Sequence, residues 1–147
     1  MTQVAQVAAL AAALVSLAAG ALGAWRWWTV EPSPGFWLLC RASQALLVVQ
    51  ALVAGVLAAL GFEPDDGLYW LYALLPLAVS FVAEQLRVTA ADTVLHDADL
   101  PNAQAVGELD EDRQRSVVLA IVRREMGVMT ASAFVVAFLA LRAWGTA

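Results

Sequence analysis

Glu84 and Arg87 stand three residues apart, a spacing that puts two side chains on one face of a helix. Arg41 and Gln44 repeat that spacing earlier in the chain, and Arg123, Arg124 and Glu125 form a third charged group. Four arginines against two glutamates leave a nominal excess of two positive charges. A guanidinium holds phosphate or carboxylate through two parallel N–H bonds, so this ratio suits an anion, a phosphate head group or the anionic end of an amphiphile. A competing reading needs no ligand: Glu84 and Glu125 each pair with one arginine, and the spare arginines reach lipid phosphates. A third makes Glu84 or Glu125 an acid or base with arginine as anion stabiliser, although the sequence shows no committed nucleophile.

The elements that must carry these charges are apolar. The 147-residue chain is 62% hydrophobic and 14% charged, with a mean hydropathy of +0.74; soluble domains are roughly half apolar and roughly a quarter charged. Val4 to Trp25 is broken only by Gln6 and Ser16, and Phe36 to Leu60 only by Arg41, Ser43, Gln44 and Gln50. Leu68 to Ala83 and Met126 to Leu141 carry no charge and continue through adjoining charges toward the interface. We read an all-α membrane protein, a single domain over 1–147 with spans at about 4–26, 36–60, 68–90 and 115–142. The first run lacks a basic n-region and exceeds a signal h-region of about 7–15 residues, so it is expected to be a retained span.

Orientation follows from the arginines. All eight basic residues are Arg; with the N-terminus outside, seven of them flank the two inner connections and only Arg142 lies outside. Trp25, Trp27, Trp28 and Trp37 then mark the inner interface, and Tyr69, Trp70, Tyr72 and Trp144 the outer one. "EPSPG" and "GFEPDDG" make tight turns, so consecutive spans are expected to be antiparallel, with both termini outside. Seven of the thirteen acids fall in residues 92–114, a solvated cytoplasmic loop. The third helix should run past Arg87 to about Leu95, and the fourth should begin near residue 110 with Asp110 as its cap.

This orientation brings the charges of the second, third and fourth helices to one depth in the inner leaflet. Tyr72, Pro76, Ser80, Glu84 and Arg87 form the expected inward stripe of the third helix, while Gln50 points nearly opposite to Arg41 and Gln44. Ala8, Ala12, Ser16, Gly20 and Ala24 give the first span a ridge of small residues, with shorter pairs at Ala51 and Gly55 and at Gly127 and Ala131. Such ridges let helices approach closely, within one bundle or between copies.

Several chemistries lack their residues. Cys40 is alone, so neither an intramolecular disulfide nor a cysteine-based zinc site is available. His96 is the only histidine, which excludes a bis-histidine haem, and "HDAD" reads as a solvated loop. There is no phosphate-cradling glycine loop and no basic nucleic-acid footprint. Small multidrug antiporters carry an acid within the first span, and this chain has none there. "CRASQ" faintly resembles the second span of the eicosanoid and glutathione membrane enzymes, whose fuller pattern of acid, Arg and Asn is missing. The Ala, Val, Leu and Arg bias without Lys fits a GC-rich bacterium.

The expectation is a multi-pass protein of the bacterial inner membrane, a homo-oligomer in contact with lipids. It would bind or transport an anionic or amphiphilic small molecule at Arg41, Gln44, Ser80, Glu84, Arg87, Arg123, Arg124 and Glu125, without metal, cofactor, nucleic acid or catalytic residues. In a transporter, Glu84 would carry the coupling proton. The alternatives are a non-catalytic accessory subunit, docked through the ridge of the first span, and the lipid or quinone-like enzyme described above.

Overall fold

The computed structural model describes residues 1–147 and is all-helical: α1 (Thr2–Thr29), α2 (Pro34–Ala59), α3 (Tyr69–Val88), α4 (Ala90–Asp97), α5 (Ala103–Gly107) and α6 (Glu111–Thr146). Four stretches are long and apolar enough to cross a membrane: α1, α2, α3 continued through α4, and α6. At about 1.5 Å per residue, α6 reaches roughly 54 Å, well beyond a hydrocarbon core of about 30 Å.

Local chemistry sets the ends. Val30 takes the left-handed conformation and its N–H bonds to the carbonyl of Arg26, closing α1. Ser33 then caps α2 by accepting from the Phe36 N–H at 3.2 Å, with Pro34 opening the helix where its missing N–H costs nothing. Asp110 caps α6 by accepting from the Arg113 N–H at 3.3 Å, and Glu111 and Asp112 in the first turn suit the positive end of the helix.

Two features of the long connection differ from the sequence expectation. The third helix extends past Arg87 to Asp97 as expected, but with a one-residue interruption at Thr89, whose hydroxyl bonds back to the carbonyl of Leu86 at 3.1 Å, after which α4 carries the span on. Asn102 then caps the short α5 through the Ala105 N–H at 3.0 Å. Leu95, Val106 and Val117 bury one another beneath this connection, so the loop between the spans has a small core of its own.

The four long helices close a ring in which α6 packs against α1 and α3, and α2 against α1 and α3. Their buried faces repeat at alternating steps of four and three: Ala5, Ala9, Ala12, Ser16, Ala19 and Gly23 on α1, and Phe36, Cys40, Ser43, Leu47, Gln50, Ala54 and Leu57 on α2. A period of 3.5 is that of left-handed, knobs-into-holes bundles. On α3 the fully buried line is Tyr69, Ala73, Pro76, Ser80 and Ala83, so Tyr72, Glu84 and Arg87 lie on its flank.

The inward side of α1 consists only of Ala, Ser and Gly, which lets α6 and α2 come close. A Cβ on Gly23 would stand 2.5 Å from Phe36 Cε2 and nearer still to Thr130 Oγ1, and one on Gly20 would meet the Phe134 ring at 3.0 Å. The ridge thus serves contacts inside the chain. Around Gly55 nothing lies within 4 Å of an added Cβ, so Gly55 faces outward, with Ala51 half-buried one turn before it.

Candidate functional site

The polar cluster is built where α2 and α3 face each other. Position 41 lies on the outer flank of α2, one residue past the buried Cys40, and position 84 follows the buried Ala83 on α3. The two flanks meet through their side chains. Arg41 Nη1 donates to Glu84 Oε1 at 2.9 Å and to Gln44 Oε1 at 2.6 Å. Gln44 Nε2 donates to the same Glu84 oxygen at 2.6 Å, and Arg87 Nε donates to Glu84 Oε2 at 2.9 Å. Both carboxylate oxygens are therefore engaged. Arg87 also lies over the Trp37 ring, 5.5 Å from its centroid.

One carboxylate against two guanidiniums leaves a net positive charge on this network. The Glu84 side chain is 20% exposed and Arg87 25%, whereas Arg41 is 56% exposed. The two arginines use only three N–H groups on Glu84 and Gln44, where a guanidinium carries five. The remaining donors can hold an anion without dissolving the network.

Behind the network is a small cavity of about 20 Å³ lined by Cys40, Ser43, Gln44, Ser80 and Ser132 among others. That volume suits about one water molecule, and its hydroxyls give such a water partners. The Ser43 hydroxyl also shares a 2.6 Å hydrogen bond with Ser16 of α1. Ser80 thus belongs to the cavity wall one turn from Glu84.

The structure divides five of the six expected charges between two places and leaves Glu125 outside both. Arg123 lies over the Trp27 ring at 4.9 Å, and Arg124 approaches Asp97 of α4 at 3.9 Å, in a cleft that shares no residue with the Glu84 network. Glu125 is half-buried and forms no ion pair. A single pocket holding all four arginines and both glutamates is therefore not formed, because Arg123 follows the α1–α6 seam and Arg87 the α2–α3 seam. Sequence reasoning missed Trp37 beneath Arg87 and Trp27 beneath Arg123; the available signal was tryptophan at the same interface as each arginine. Gln50, which points away from Arg41 and Gln44, makes a contact of its own: its Nε2 donates to the Ala73 carbonyl at 3.2 Å while its Oε1 is buried without a partner. No three His, Cys, Asp or Glu side chains come together as metal ligands.

No known family, curated protein or solved structure matches this chain. Its chemistry rests on its own residues.

Proposed function

We propose that this is a small multi-pass protein of the bacterial inner membrane that binds the anionic end of an amphiphilic small molecule or lipid, for retention or transport, at Arg41, Gln44, Glu84 and Arg87. The observation that carries this reading is the sharing of one carboxylate by two guanidiniums, which leaves positive charge and free donors. Glu84 sets the geometry of both arginines; the anion meets Arg41 at the open flank, and Trp37 supports Arg87. In this reading the helices alternate in direction, both termini face outward, and the arginine-flanked connections face the cytoplasm. Copies associate through the small-residue pair of Ala51 and Gly55.

Native mass spectrometry of the gently solubilised protein tests the site. A stoichiometric adduct of defined mass is expected on the wild type and absent from Arg41→Gln/Arg87→Gln. The same bare oligomer from both proteins would make the network a structural tie between α2 and α3. For the topology, single cysteines at Glu63 and Asp110 in a Cys40→Ala background should label from opposite sides of sealed vesicles; labelling of both from one side would reverse the assignment.

A further inference from the structure

The cleft between α1, α4 and α6 is built separately, and its construction starts from a missing side chain. A Cβ on Gly127 would stand 3.0 Å from Trp27 Nε1, so the indole lies directly against the α6 backbone. Arg123, one turn earlier on α6, places its guanidinium over that indole at 4.9 Å. A guanidinium held over a ring face is attracted by the ring's quadrupole and spends no N–H bond on a carboxylate. No carboxylate pairs with Arg123.

Arg124 supplies a second fork. Its only acidic partner, Asp97, is 3.9 Å away, and both side chains are well exposed, so the pair is weak and open to displacement. Two guanidiniums against one carboxylate give the cleft a net positive charge. Its volume is about 530 Å³, and Ser116 adds a hydroxyl to the wall. Arg123 and Arg124, with Glu125 after them, precede the uncharged run from Met126 to Leu141, and Trp27 lies in the last turn of α1. A membrane around these spans would put the cleft at the depth of lipid head groups.

We infer that this cleft is a phosphate-binding site, in which Arg123 and Arg124 hold the oxygens of a phosphomonoester or phosphodiester and Trp27 braces Arg123 from below. The phosphate belongs either to a lipid head group or to a soluble molecule, since both offer the same oxygens to the same forks. The inference is independent of the Glu84 network.

The test uses full-length protein with two kinds of probe. Native mass spectrometry compares retention of phosphatidylglycerol with that of diacylglycerol, which has the same chains and no phosphate. Phosphorus NMR titration follows inorganic phosphate and glycerol 3-phosphate. Arg123→Gln and Arg124→Gln should each weaken the phosphate-bearing probe about tenfold, the loss of a charge-assisted contact. Arg123→Lys, which keeps the charge but not the planar fork, should fall between, and guards against a variant that fails to fold. Arg142→Gln, which removes a guanidinium that lies over Tyr72 outside both arginine clusters, should bind as the wild type does. Preference for phosphatidylglycerol with flat soluble titrations assigns the site to a lipid; saturable phosphate binding without lipid preference assigns it to a soluble ligand. Wild-type binding of every probe by both single Gln variants, or equal loss in the Arg142 variant, overturns the assignment.

Discussion

Replacing Glu84 by Gln isolates the charge of the network with almost no change of shape. The amide oxygen can still accept from Arg41 and Gln44, but the amide nitrogen then faces Arg87 Nε, which now donates to Oε2 at 2.9 Å. The Glu84–Arg87 bond is the shielded one, with both side chains about a quarter exposed or less, so its loss should cost about 2 kcal/mol, typical of a hydrogen bond between charged groups. Arg41 is more than half exposed, and its share should be below about 1 kcal/mol as for other solvent-accessible ion pairs. The expected destabilisation is therefore about 2–3 kcal/mol. A double-mutant cycle with Arg87→Gln, read by circular dichroism during SDS titration in mixed micelles, should return a coupling of about 2 kcal/mol. Coupling below about 0.5 kcal/mol would refute the reasoning, because the carboxylate would then not be holding Arg87.

Two glycines should respond in opposite ways to alanine. Gly23→Ala forces a methyl into Phe36 and Thr130 and should cost about 1–3 kcal/mol in the same titration, whereas Gly55→Ala meets nothing within its own chain and should leave the fold of the single chain unchanged or stabilise it by up to about 1 kcal/mol. Gln50→Leu removes a buried acceptor that has no partner and one amide bond to Ala73, so a net gain of about 1 kcal/mol is expected. Loss of more than about 1 kcal/mol would mean that Oε1 is bonded to an internal water.

The spans were legible because lipid demands long uncharged runs and turns demand Pro and Gly; the cap at Asp110 was legible because its side chain acts on its own helix. The break at Thr89 has no Pro or Gly to announce it, and α5 gains its place from Val106 packing on Leu95 and Val117. The ridge of α1 was read at steps of four, which drift about 40° per step around a helix. The packed line alternates four and three, so Ala12, Ser16 and Gly20 stay buried while Ala8 and Ala24 are only partly so. Within the site, Arg41, Gln44, Glu84 and Arg87 share one seam, between α2 and α3. The separation of Arg123 and Arg124 from them depends on Trp27 lying on Gly127, a contact between residues a hundred positions apart that no local spacing encodes.

The inward face of α1 has one further consequence, in entropy. Alanine and glycine have no rotamers to lose, and each larger apolar side chain that is fixed on packing costs up to about 1–2 kcal/mol. The eight buried positions of α1, all Ala, Gly or Ser, therefore dock with almost no freezing of side chains. The contact surface is narrow, but little of its attraction is cancelled by lost motion. The interface of α1 should accordingly soften little on warming, and its movements should be those of the whole helix as a rigid rod.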